Sequence, residues 1–171
     1  DGDVILHPNF IEDHLMMIEK NVYLYGSRVN IQKSILSELM STKMINFNFF
    51  SKGIKKRGRT IRIPFLAKNQ KKNSNYSSKM RGCNFSFWKD DFIKVNGYNE
   101  EFSGWGREDS ELVLRMHNAG IEAKRLKFAG IVFHIYHNEQ SKSFLDRNDK
   151  IQEKTIQQKL TFAPKGINQY I

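Results

Sequence analysis

Three short stretches of the chain gather residue types that can do chemistry. The first is Asp1-Gly2-Asp3. In an extended backbone residues i and i+2 point to the same side. Two carboxylates placed that way offer hard oxygen ligands to Mg²⁺ or Mn²⁺ that is also held by substrate phosphates. The same triplet is ordinary turn chemistry. The second stretch runs Phe102-Ser103-Gly104-Trp105-Gly106-Arg107-Glu108-Asp109-Ser110-Glu111. Its glycines let backbone approach a ligand closely, and Trp105 offers a flat apolar face of the kind on which sugars stack. Glu108 and Asp109 open a helix, where acids complement the helix dipole; a carboxylate held there is also what a general base for a hydroxyl needs. The third is Phe133-His134-Ile135-Tyr136-His137. On a strand His134 and Tyr136 share one face, and His137 takes the other face or a following turn. A neutral imidazole there could complete a metal site begun by Asp3.

The elements that must position these residues alternate between strand and helix. Asp3–Leu6 reads as a short buried strand, and Asn9 as the N-cap of a helix to Lys20. Val22–Ile31 reads as a strand interrupted at Gly26, and Lys33–Met44 has apolar residues at helical spacing. Asn84–Trp88 is expected as a strand, and Lys89–Val95 as a helix stopped by Gly97 in a left-handed cap. Glu108–Ala119 is a helix, Glu122–Phe128 and Ile131–Tyr136 are strands, and Phe144–Leu160 is a polar surface helix. Alternation of this kind points to an α/β class with one domain over residues 1–171.

Composition bounds the rest. With 39% hydrophobic residues, 171 residues can bury a core. Cys83 stands alone, so no intrachain disulfide forms. The formal charge is +10, and much of it is local. Lys52 to Lys79 includes Lys56, Arg59, Arg62 and seven further lysines and arginines and no acid, which predicts a mobile basic loop able to close over phosphate or meet an acidic membrane surface. No run is long and apolar enough for a membrane span. The opening residues DGDVIL have neither an initiator Met nor a signal-peptide pattern, so the natural protein is expected to continue upstream and to reside in the cytoplasm, with peripheral contact at the inner membrane surface.

The order of the motifs matters more than any one of them: Asp-x-Asp, then Gly82-Cys83-Asn84-x-Ser86-Phe87 with one residue between Asn84 and Ser86, then Gly-Trp-Gly-x-Glu-Asp, then His. In this order the chain resembles the C-terminal half of GT-A glycosyltransferases, close to glycosyltransferase family 2 and to the galactosyltransferase and chondroitin-polymerase-like enzymes. The resemblance is strongest over Arg81–His137 and includes Asp1–Pro8. It implies a mixed sheet flanked by helices, with the nucleotide-binding N-terminal part absent. It also implies a nucleotide-diphosphate sugar donor, a UDP-sugar first, a Mn²⁺ or Mg²⁺ ion, and a glycan or glycolipid hydroxyl acceptor. Position by position, Asp3 and His134 would hold the metal, with His137 as the substitute for His134. Asp1 would face the ribose or uracil, or the metal. Asn84 would line the donor pocket, Trp105 and Gly106 would wall the sugar site, Glu108 would hold acceptor hydroxyls, and Asp109 would be the catalytic base of an inverting displacement.

Two departures stand out. Arg107 occupies a place where related enzymes often have Gly and could contact the diphosphate or an acidic acceptor, and Ser110 stands where galactosyltransferases carry a third acid. Two competing readings follow from the residues alone. A metal-dependent phosphotransferase would use the acids and histidines. A basic nucleic-acid-binding domain would use the charge, but the chain has no recognisable nucleic-acid motif, and no nucleic-acid partner is expected.

Overall fold

The structure is a computed structural model that describes residues 2–77, 80–138 and 140–171. The architecture is α/β: two mixed four-stranded sheets flanked by helices. Eight strands are β1 (Val4–Leu6), β2 (Val22–Gly26), β3 (Arg28–Ile31), β4 (Ile54–Lys55), β5 (Lys72–Asn73), β6 (Phe85–Ser86), β7 (Glu122–Leu126) and β8 (Val132–His134). Six helices are α1 (Phe10–Met17), α2 (Leu36–Thr42), α3 (Pro64–Lys68), α4 (Lys89–Lys94), α5 (Glu108–Asn118) and α6 (Leu145–Gln158). One sheet has the order β5-β7-β2-β6 and the other β1-β8-β3-β4; in each, the central pair is parallel and both edge strands are antiparallel.

The extended segment expected over Val22–Ile31 is two strands that belong to different sheets. Only Ser27 separates β2 from β3, whereas residues 127–131 separate β7 from β8. The parallel register therefore steps from Gly26↔Leu126 to Arg28↔Val132. This five-residue excursion is held from three sides. Asp13 accepts from the Gly130 amide at 2.8 Å, the Ile63 amide donates to the Phe128 carbonyl at 2.9 Å, and the Asn84 amide donates to the Gly130 carbonyl at 2.6 Å. A side chain on Gly26 would collide with the Asn84 amide, which is why the strand carries glycine at its end.

Burial on both faces explains the apolar run of β2. Tyr23 and Tyr25 pack with Leu112, Val113 and Met116 of α5, while Val22 and Leu24 pack with Met17 of α1 and Ala67 of α3. The second sheet rests Val29, Ile31 and Phe133 against Leu39 of α2 and against Phe47. Within α5, Glu111 and Arg115 are fully buried and paired through two bonds of 2.8 Å, and Thr155 of α6 donates to Glu111 at 2.9 Å. A buried pair of charges needs such partners to offset its lost hydration.

Two expectations change here. Lys52–Lys79, expected as a mobile loop, carries β4, a 3₁₀ turn over Arg57–Thr60, α3 and β5 in its described part. Its charge does not leave it detached, because Arg62 makes a forked pair with the buried Asp13, at 2.6 and 2.9 Å to Oδ1, and Ala67 is fully buried. Asp3 precedes β1 rather than lying in it, so it sits at the entry to an antiparallel strand beside β8. The left-handed cap at Gly97 is present, with φ +66° and a 2.8 Å bond from its amide to the Phe92 carbonyl. Asn9 stands before α1 without a side-chain cap bond; its amide donates to Glu12 instead, at 2.7 Å. Among the described residues no helix is long and apolar enough to cross a membrane.

Candidate active site

The entry to β1 meets the exit of β8. The Ile135 amide donates to the Asp3 carbonyl at 2.8 Å and Val4 pairs with His134, so the backbone ladder itself sets the Asp3 and His134 side chains together. Asp3 Oδ2 lies 3.4 Å from His134 Nε2 and 3.1 Å from His137 Nε2. One ligand atom from each of the three residues falls within 4.8 Å of the others. His137, expected only as a substitute, is a full member. β8 ends at His134, so strand alternation no longer governs the residues that follow, and the chain returns His137 to the carboxylate. Its Nδ1 lies 2.7 Å from the Asn138 carbonyl, to which it donates, and Nε2 is the nitrogen turned toward Asp3.

The donor set fits a divalent ion. Asp3 Oδ1 is buried and without a hydrogen-bond partner among the described residues, a vacancy that a cation or its water would satisfy. His134 is held below the ordinary histidine value, by burial first and then by the positive charge of Arg28, so it stays neutral and able to ligate. Three such ligands would leave positions open for further oxygens, as at catalytic rather than structural sites. Asn30, opposite His134 in the parallel β3–β8 register, also keeps a buried side-chain oxygen without a partner among the described residues. Nothing in the sequence marked it. Asp1 lies outside the described residues.

Asp109 is anchored on the Gly82–Asn84 turn. Its Oδ2 accepts from the Gly82 amide at 2.9 Å and its Oδ1 from the Tyr98 hydroxyl at 3.0 Å. Burial and the Asp109 charge push the Tyr98 hydroxyl up, so it remains a proton donor. The half-buried thiol of Cys83, the residue after Gly82, contacts Arg28 and feels the charges of Asp3 and Asp109. Burial is the largest influence on that thiol and raises it. Neighbouring Glu108 keeps Oε2 buried and without a partner among the described residues.

Trp105 is 48% exposed, as a stacking platform must be. The loop that presents it is tied down from α6. Asn148, fully buried, donates to the Ser103 carbonyl at 3.0 Å and to the Gly106 carbonyl at 2.9 Å. Gly106 is buried with φ +109°, a conformation that strongly favours glycine. Neither Asn148 nor Tyr98 was singled out from the sequence; both lie in segments whose letters are ordinary for a surface helix and a loop.

Two expected residues do other work. Asn84, expected in the donor pocket, is 0% exposed. Its amide donates to the Ser27 and Gly130 carbonyls and its carbonyl lies 3.2 Å from His14 Nε2, so it ties the crossing between the two sheets to α1. Arg107, expected to face the diphosphate or an acidic acceptor, is paired with Asp149 of α6 at 2.5 Å.

Residues 62–138 match the family described as the N-terminal domain of galactosyltransferase. A mouse (Mus musculus) protein named N-acetyl-beta-glucosaminyl-glycoprotein 4-beta-N-acetylgalactosaminyltransferase 1 is 45% identical over 60 residues, which is 34% of this chain and 5% of that protein. The chain therefore spans only a small part of that relative's length. The matched family segment contains Gly82, Tyr98, Trp105, Glu108, Asp109, His134 and His137. The segment that builds most of the site is thus galactosyltransferase-like, and the chain is similar to glycosyltransferases of the GT-A kind.

Proposed function

We propose that the protein transfers a sugar from a nucleotide-diphosphate sugar, a UDP-sugar first, to a hydroxyl of a glycan or glycolipid, with inversion and with help from a divalent ion. What supports this reading is the carboxylate–imidazole–imidazole set of Asp3, His134 and His137, together with an Asp109 carboxylate held by the Gly82 amide in the galactosyltransferase-like segment. Asp3, His134 and His137 would hold the ion. Two imidazoles beside one carboxylate favour Mn²⁺ over Mg²⁺, which prefers oxygen ligands. Such an ion, when bound, supplies positive charge to the departing diphosphate.

The other steps belong to the side chains. Asp109 takes the proton of the attacking hydroxyl, and the Gly82 amide and Tyr98 hydroxyl hold its carboxylate in one orientation. Glu108 Oε2 accepts from a second acceptor hydroxyl, and the Trp105 face orients the sugar. A single displacement from the far side of the anomeric carbon inverts its configuration. Supply of the nucleotide-binding half is assigned to sequence beyond this chain.

The test is UDP release from a panel of UDP-sugars by the full-length protein, with Mn²⁺, with Mg²⁺ and with EDTA, followed by NMR of the product anomer. Metal-dependent release with an inverted product supports the reading. Release that is indifferent to EDTA, or a retained anomer, contradicts the ion or the displacement respectively.

A further inference from the structure

A cavity opens at the carboxyl ends of the parallel β2–β7 pair, where the chain crosses from one sheet to the other. It is lined by Ser27, Gly58, Arg59, Ile61, Arg125 and Phe128, among others. Ligands of open α/β sheets favour such ends. Arg125 donates to the Ser27 hydroxyl at 3.1 Å and Arg59 to the Arg28 carbonyl at 2.9 Å, so both guanidiniums are held at the opening. Arg28 and Lys56 continue the positive strip toward the triad: both act on His134 and on Arg59's neighbourhood. Among the described residues none of Arg28, Lys56, Arg59 and Arg125 forms an ion pair. Lys56 and Arg59 lie below their ordinary values, from burial first and then from the neighbouring cations. Lys56 and Arg59, whose charged neighbours are all cations, and Arg125 beside Arg59 repel one another, and an oxyanion relieves that repulsion.

We infer that the cavity between Arg59 and Arg125 is a second anion site, which holds a phosphate or carboxylate carried by the acceptor. Cavity-lining Ile131 immediately precedes β8 and ligand His134 ends it, about 10 Å apart along the backbone at the usual strand rise. That is further than the two phosphorus atoms of one diphosphate can span. The ribose and base of a nucleotide carry no anion of their own for a row of cations. The ligand is an acidic acceptor: its oxyanion sits at Arg59 and Arg125 while its hydroxyl reaches toward Asp109. The word acceptor rests on the glycosyl-transfer reading; the anion site rests on the cavity and its cations.

The experiment uses the full-length protein in two arms. In the first, EDTA-treated protein is titrated with inorganic phosphate by calorimetry. Binding is expected in the wild type and is expected to fall by about 10-fold or more in R59Q/R125Q, since charged hydrogen bonds are lost; R59K, which keeps the charge, retains most of it. Circular dichroism checks folding, and R59Q alone serves if the double variant does not fold. In the second arm, UDP is titrated with Mn²⁺ present, and its affinity is expected to change by less than about twofold in R59Q/R125Q, as for independent sites. Absence of phosphate binding, or equal binding by wild type and variant, overturns the site. A parallel loss of UDP affinity overturns its assignment to the acceptor. Failure of the wild type to bind UDP with Mn²⁺ would instead strike the transferase reading, and the phosphate arm would still decide the anion site.

Discussion

The Gly82 amide donates to Asp109 Oδ2 at 2.9 Å, and a Cβ at position 82 would collide with that same carboxylate. A glycine and an acid 27 residues apart are thus a single device: one supplies the donor, and the other occupies the space a side chain would take. Gly82→Ala is expected to displace Asp109 while leaving the core intact. Displacements on the order of 1 Å can cost about 100-fold in rate, so kcat should fall by about that factor. Tyr98→Phe removes one bond to the same carboxylate and should cost about tenfold. Steady-state kinetics with circular dichroism separates both effects from unfolding.

The triad predicts equal standing for its two histidines. His134→Ala, His137→Ala and Asp3→Ala should each weaken Mn²⁺ binding by at least the ~10–100-fold that loss of even an outer-shell partner costs. Mn²⁺ titration followed by electron paramagnetic resonance reads this directly. A His137→Ala variant with wild-type affinity would remove that residue from the set.

Acid sensitivity follows from four histidines. His7, His14, His117 and His134 all lie below the ordinary value of 6.5, each chiefly because burial disfavours the charged ring. Below that value the unfolded chain takes up protons that the folded chain does not, so stability falls as pH drops from 6.5 toward the lowered folded values. Denaturant midpoints at pH 7.5 and 5.5 should differ in that direction. Mn²⁺ affinity should fall with acid as well, but later than for an ordinary histidine, because His134 resists protonation.

Much of the fold is legible in single letters, because periodicity and caps are local. Glu108–Ala119 and Lys89–Val95 are helices within a residue of the expected ends, and Gly97 caps as expected. What local patterns do not contain is the partner. Val22–Ile31 looks like one strand, but its division between two sheets depends on an excursion at 127–131, far along the chain. The basic segment reads as loose because it has no acid of its own; its acid, Asp13, lies outside it. Alternation put His134 and Tyr136 on one face and left His137 aside, and it failed because the strand stops at His134. Asn84 lies in a motif-rich stretch, yet complete burial turns its amide inward.

Loss of one partner in the buried clusters should be costly and should separate fold from site. Glu111→Ala leaves Arg115 buried and uncompensated, at a cost of about 3–5 kcal/mol. Asn148→Ala frees the Ser103 and Gly106 carbonyls, at about 1–3 kcal/mol, and loosens the Trp105 loop. Chemical denaturation measures both, and the second should also raise the KM for the acceptor.

The most direct test is Asp109→Asn in the full-length protein, assayed for sugar transfer and for UDP binding with Mn²⁺. If Asp109 is the base, turnover falls by about 100- to 10,000-fold while UDP affinity stays at the wild-type value. Turnover close to wild type with donor binding intact would contradict the assignment of this carboxylate and the chemistry built around it.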